Sequence, residues 1–425
     1  MGLFNTFAIL ITITALLSYI NHRLIRLPTT IGLMLIAMVI SLAMIGLGQL
    51  GFGIEKQAEQ MLGAIDFNKV LMEGLLSFLL FAGALHVDLN ELLDRRWVVS
   101  ILATFGVLGS TFIVGTLMYF FLMALGIGIS YIYCLLFGAL ISPTDPIAVI
   151  GILKSAKVPK RLEAAIAGEA LFNDGVGVVV FTVILHIAMG RGEHGAMPVL
   201  KIFAEEALGG IAFGLILGWL AYRLLRTVDN YSVEILLTLA LVTGGYALAL
   251  TIHTSGPLAI VVAGIFIGNH GRRFAMSDDT RQHIDTFWEL LDEIFNAMLF
   301  VLIGLEVLIL SFSFELFLAG LFAIVLVLLA RLSCVAAIVT ILRSFLAFTP
   351  RAIRIITWAG LRGGISIALA LSLPIIPGNG RDLIITATYS VVVFSILVQG
   401  LTMRRLVRGL GQGKVTDHGS SELAP

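Results

Sequence analysis

Apolar stretches recur along the chain, each close to the ~20 residues a helix needs to cross a hydrocarbon core, with short polar or Gly/Pro joints between them. That pattern predicts helices near residues 4–21, 30–49, 67–88, 97–125, 130–153, 163–190 and 200–224, then near 232–252, 255–270, 284–311, 315–342, 352–373 and 382–403. The expected architecture is therefore an all-α polytopic membrane protein of about 13 spans. The longest connections are residues 50–66, 271–283 and the polar tail 404–425. None has room for a soluble ligand-binding domain, and nothing in them suggests nucleic-acid binding.

Composition agrees: 59% of residues are hydrophobic, 13% are charged and the mean hydropathy is +1.03, outside the range of soluble domains. The lysines and arginines test the span count independently, because short cytoplasmic loops hold most of them. With the N-terminus outside, twenty fall inside, five (Lys56, Lys69, Arg191, Lys201 and Arg381) fall outside, and Arg331 and Arg362 lie within spans. One span more or fewer would scramble that asymmetry. In the first segment the positive charges follow the apolar run and no small-x-small site precedes them, which argues against a cleaved signal.

The segment "GEALFNDGVGVVVF" (168–181) carries Asn173-Asp174-Gly175, a combination suited to a tight turn. A turn there would leave residues 163–172 too short to cross and would switch the side of every later basic loop. Asp174 is therefore expected about 11 residues, or ~17 Å, along the sixth span, close to mid-membrane. An ionisable group at that depth costs about 2.5–3.5 kcal/mol even on the lenient insertion scale, which points to function. The structural alternative is a neutral, hydrogen-bonded core aspartate.

A second carboxylate lies in "FGALISPTDPIAVIG" (137–151). Pro143 and Pro146 lack N–H groups, so the helical bonds to Ala139 and Ser142 cannot form and the span should break around Thr144-Asp145. The freed carbonyls are expected to serve as ligands, since secondary transporters hold cations at such breaks. The alternative is a proline kink that only shapes a helix. A third interruption, "TWAGLRGGISIALAL" (357–371), sets Gly360, Gly363 and Gly364 around Arg362, whose charge needs a buried partner. Spans 1–6 and 8–13 form two sets of opposite topology separated by one helix. Both broken spans are fifth in their sets, the signature of inverted repeats with a site at their crossing.

"FAGALHVDL" (81–89), "SPTDPIAV" (142–149), "GEALFNDGVGVVVF" (168–181), "SGPLAIVVAGIFIGN" (255–269) and "GLRGGISIALAL" (360–371) occur in an order that resembles bacterial sodium/proton antiporters of the NhaP type. These belong to the monovalent cation/proton antiporter-1 group, which includes the animal sodium/proton exchangers. The resemblance implies an NhaA-like antiporter fold over residues 1–403, with a core at about 97–190 and 315–403 and a dimerisation domain at about 1–96 and 200–311. It also implies a homodimer in the bacterial inner membrane, with the N-terminus outside and residues 404–425 as a short cytoplasmic tail.

The resemblance also assigns residues. Asp174 would bind the cation or a proton in turn, and Asp145 and Thr144 would help complete the ion shell. Asn173 would hold the broken span, and Glu169 would form a structural charge pair with Arg362 or, as second choice, Arg331. The implied activity is electroneutral exchange of Na⁺ (or Li⁺) for H⁺, with no cofactor. Two positions depart from the pattern: Ala170 stands where some relatives have Ser, and Ala82 near where some have a carboxylate. Ser142 and Thr144 could compensate.

Several other residues are candidates for lesser roles. Glu73 could line an outer funnel or pack a helix, and Glu306 is expected near the outer end of the tenth span. Glu289, Asp292 and Glu293 could attract cations or sense pH, or form a solvated helix end; His86, His270 and His283 could tune a pH response or be ordinary interfacial residues. Cys134 and Cys334 lie within spans, which argues against a disulfide, and no spacing suggests a metal enzyme. The competing functions are K⁺/H⁺ exchange on the same fold, a cation channel, and an intramembrane aspartyl protease using two buried aspartates. The protease lacks its Gly-x-Gly-Asp stretch, and the inverted plan has no use in proteolysis.

Overall fold

The computed structural model describes residues 3–50, 67–94, 96–145, 160–190, 196–309, 313–343, 351–374, 376 and 380–407. These are mostly helical, with no strand among the described residues. In chain order the segments are α1 (Leu3–Ile20), α2 (Thr29–Gln49), α3 (Val70–Leu85), α4 (Arg96–Ala124), α5 (Tyr131–Leu140), α6 (Lys160–Ala188) and α7 (Ala196–Leu225). They continue as α8 (Tyr231–Thr251), α9 (Gly256–Phe266), α10 (Asp278–Leu305), α11 (Phe314–Leu342), α12 (Ala352–Ala359 and Gly364–Leu371) and α13 (Gly380–Val407). Eight of these are long and apolar enough to cross a membrane, and the two halves of α12, bent by 46°, make up to nine. The other four sit where the sequence predicts spans but are short or acidic, so the set is compatible with thirteen.

The polar joints between apolar runs act as helix starts. Asn230 accepts from the N–H groups of Ser232 and Val233 at the head of α8, Ser255 from Leu258 at α9, and Ser313 from Leu316 at α11. Ser277 likewise caps α10 through Thr280, and Asp278 and Asp279 complement its positive end. This start explains why α10 begins at Asp278 rather than near 284. Asn173-Asp174-Gly175 runs inside the continuous helix α6, not in a turn.

Packing sorts the helices into two groups. α4 packs on α5 and α11, α6 on α5, and α11 on α13; separately, α2 packs on α10, α3 on α9 and α7 on α9. The α2/α10 and α3/α9 contacts exchange the second and third members of the two six-helix sets, as related halves do. Small residues make these contacts close. A Cβ on Gly304 would come 2.6 Å from the Met34 carbonyl, and one on Gly264 would come 2.7 Å from Ala84. Gly138 of α5 lies directly against the Thr111 carbonyl of α4. Because backbone cannot swing aside as a side chain can, Gly138→Ala is expected to cost about 1–3 kcal/mol and to lower the melting temperature in detergent.

A short helix, Leu89–Asp94, links α3 to α4 and was not expected from the apolar pattern. Asn269, just beyond α9, fixes it: its Oδ1 accepts from Leu89 N–H at 2.9 Å and its Nδ2 donates to the Val87 carbonyl at 2.9 Å. Two of the quoted segments, 81–89 and 255–269, therefore meet at one corner. Cys134 and Cys334 are free and buried.

Candidate functional site

The helix of the fifth span ends before the prolines, as they require. α5 stops at Leu140, and Pro143, Thr144 and Asp145 are non-helical; Pro146 and the rest of the predicted span lie outside the described residues. α12 breaks between Ala359 and Gly364. The breaks touch, with Asp145 N–H donating to the Leu361 carbonyl at 2.7 Å. Glycine allows this approach, since a Cβ on Gly363 would collide with the Asp145 carboxylate.

The arginines settle the open pairing. Arg331 of α11, not Arg362, holds Glu169: both carboxylate oxygens accept from its guanidinium, Oε2 at 2.8 Å, and both residues are buried. Arg331 also donates to the Ile356 carbonyl at the end of the first half of α12, and Gly360 lies against its guanidinium. Arg362 instead donates to the Ser142 carbonyl and, at 2.9 Å, to the Pro143 carbonyl. Each broken half-helix thus has its negative C-terminal end met by an arginine. This corrects a further expectation, because the Ser142 carbonyl freed by proline is engaged by Arg362 and is not open to a cation. The Ser142 hydroxyl faces away as well, donating to Gly138 at 2.6 Å beside Thr111.

Asn173 bridges the break. Its Oδ1 accepts from Thr144 N–H at 3.1 Å and its Nδ2 donates to Thr144 Oγ1 at 2.7 Å. One helical step on, Asp174 faces a cavity of about 460 Å³ together with Thr144, Asp145 and Gly363. Asp174 itself is 5% exposed. Neighbouring glycines of α6 are places of close packing: a Cβ on Gly175 would come 2.5 Å from Leu258 of α9, and one on Gly177 would strike Pro143.

The cavity runs from the breaks to the ends of α3, α6 and α10 that adjoin the arginine-rich loops. Its mouth carries His86, Asp88, Glu91, Glu163, Glu289, Asp292 and Glu293. The acidic cluster of α10 is thus part of the cavity wall rather than a detached solvated end. Sequence reasoning missed Ser366, which lines the cavity; its place two residues past Gly364 was the available signal. Ala82 lines the wall too, without a carboxylate, while Ala170 is buried. His270 stacks on Phe266 with Phe274 tilted against it, and His283 stacks on Tyr231; neither lines the cavity. Glu306 is buried at the end of α10, and the side chain of Glu73 lies outside the described residues.

A broken helix that meets the end of α5 beside buried carboxylates, in a fold of exchanged halves, marks the class of inverted-repeat secondary transporters. Residues 11–409 match the transmembrane sodium/hydrogen exchanger family. The Na⁺/H⁺ antiporter NhaP of Pseudomonas aeruginosa is 52% identical over 96% of this chain and 97% of its own length. The Na⁺/H⁺ antiporter NhaH of Halobacillus dabanensis is 33% identical over 92% and 93% of the two chains. Among solved structures, the sodium proton antiporter MjNhaP1 of Methanocaldococcus jannaschii superposes with a TM-score of 0.72 at 20% identity, covering 96% of this chain and 98% of the other. The chain belongs to the sodium/hydrogen exchanger family.

Proposed function

We propose that the protein exchanges Na⁺ (or Li⁺) for H⁺ across the bacterial inner membrane by alternating access, with cation and proton competing for Asp174. The observation that carries this reading is the single cavity in which Asp174 and Asp145, from α6 and the broken fifth span, share a wall and reach one side of the bundle. Carboxylate and hydroxyl oxygens are hard ligands suited to such ions. The acidic mouth raises the local cation concentration. Arg331 is paired with Glu169 and Arg362 donates to the Ser142 and Pro143 carbonyls, so neither guanidinium hydrogen-bonds the Asp174 carboxylate. One aspartate beside a neutral Asn173, in place of two adjacent aspartates, supports a one-for-one, electroneutral exchange.

The cavity's basic-loop side is the cytoplasm in this reading, with the N-terminus outside and residues 404–425 cytoplasmic. Residues of about 97–190 and 315–403 form the moving core, and about 1–96 and 200–311 form a dimerisation domain. The packing groups and the Gly175–Leu258 contact between them support that division. The functional unit is a homodimer in lipid that serves pH homeostasis.

The test is reconstitution in vesicles with an imposed pH gradient and clamped voltage. Addition of Na⁺ or Li⁺ is expected to collapse the gradient saturably and independently of voltage. Collapse by K⁺ at least as effective as by Na⁺ would replace the reading with K⁺/H⁺ exchange. Conductance without saturation would replace it with a channel.

A further inference from the structure

One polar group in the cavity has no use in the site described so far. Ser366 is 1% exposed, lines the cavity with Thr144, Asp145 and Asp174, and its Oγ has no hydrogen-bond partner among the described residues. Thr357 Oγ1, on the other side of the α12 break, is likewise buried without a partner but does not line this cavity; three other hydroxyls near the breaks are engaged. Ser142 donates to Gly138, Ser395 donates to Gln399 at 2.7 Å, and Thr144 accepts from Asn173.

The break explains why Ser366 differs. A helical serine can bond back to the carbonyl three or four residues earlier, as Ser390 does with Thr386 at 2.8 Å in α13. For Ser366 those residues are Gly363 and Arg362, which lie in the non-helical break, Gly363 having φ −124° and ψ −159°. The interruption of α12 therefore removes the usual partner of this hydroxyl and leaves it on the wall of the cavity that also holds two carboxylates. A buried hydroxyl with no bond is unfavourable, and one that persists in a fold calls for a ligand that satisfies it.

We propose that Ser366 Oγ is a ligand of the transported cation, completing from the second repeat the shell begun by Asp174 and Asp145. The proposal rests on the reading of Asp174 as the ion site. A hydroxyl offers a hard, neutral oxygen, so it strengthens cation binding without adding a charge that would alter the proton stoichiometry. It supplies from α12 the oxygen that α6 lacks at Ala170, one turn before Asp174. Because Ser366 and Asp174 belong to different repeats, a bound cation also ties the two halves of the core together.

Two measurements on the full-length protein test this: melting temperature in detergent against NaCl, with choline chloride keeping ionic strength constant, and exchange in vesicles. A ligand that binds only the folded state raises its stability with concentration. Ser366→Ala is expected to need about tenfold more Na⁺ for half of the stabilisation and half-maximal exchange, the size of one lost polar ligand, with little change in maximal rate. Ser366→Thr, which keeps the hydroxyl, should stay close to wild type. Wild-type half-saturation in Ser366→Ala, or a higher melting temperature with no change in Na⁺ dependence, overturns the proposal. If Ser366→Ala does not fold, Ser366→Cys is read instead, with the same expected loss and the same overturning result. Asp174→Asn should lose the Na⁺-dependent stabilisation altogether; if it does not, the underlying ion-site reading fails, whatever Ser366 does.

Discussion

In vesicles carrying a pH gradient, Asp174→Asn is expected to abolish Na⁺-dependent collapse while leaving the protein folded and membrane-inserted. Asparagine matches aspartate in size and leaves the close packing at Gly175 and Gly177 untouched, so the change removes chemistry rather than shape. It removes two things together: the charge that attracts the cation and the group that carries the proton back. The amide cannot stand in for the carboxylate in exchange, because it releases no proton in this pH range. Asp145→Asn is expected to act less completely. Its backbone N–H still donates to Leu361, so the crossing stays intact, and the loss should appear as a raised Na⁺ concentration for half-maximal rate. If Asp174→Asn exchanged at the wild-type rate, the site would have to be placed elsewhere.

The position of Asp174 could be read from the sequence because it depended on counting: a turn at Asn173-Asp174-Gly175 would have reversed the side of every later basic loop. The two breaks were legible for a similar reason, since proline and clustered glycine act on the local backbone. What depended on distance was not legible. Arg331 and Arg362 are both intramembrane, and nothing in their spacing shows that α11 rather than the α12 break passes beside Glu169. Ser142 and Ser366 are both serines next to breaks. Only the structure shows that the first precedes its break and keeps its Gly138 partner, whereas the second follows its break and has none. The helix Leu89–Asp94 was hidden because its anchor, Asn269, lies 180 residues away from Leu89. The acidic face of α10 carried too little apolar signal to say whether it met water or a cavity.

Glu169→Gln is expected to destabilise the protein severely, by about 3–5 kcal/mol, without a matching change in Na⁺ half-saturation among the molecules that remain folded. The substitution leaves the Arg331 guanidinium buried and without its counter-charge. A lone charge in low dielectric is far less favourable than the pair, whose two parallel hydrogen bonds satisfy both partners. Arg331→Gln should be comparably harmful, with the added loss of its bond to the Ile356 carbonyl at the α12 break. Arg331→Lys keeps the charge but offers no planar fork, so it should fall between wild type and Arg331→Gln. Replacing both residues by neutral side chains should cost less than the two single losses added together, because the second change removes the charge that the first had stranded. Neither residue faces the Asp174 cavity, which separates this effect from that of the ion ligands. Melting temperature in detergent and the Na⁺ dependence of exchange distinguish the two. Should Glu169→Gln melt like wild type yet fail to exchange, Glu169 would belong to the ion path and the Arg331 pair would not be what holds α6 to α11.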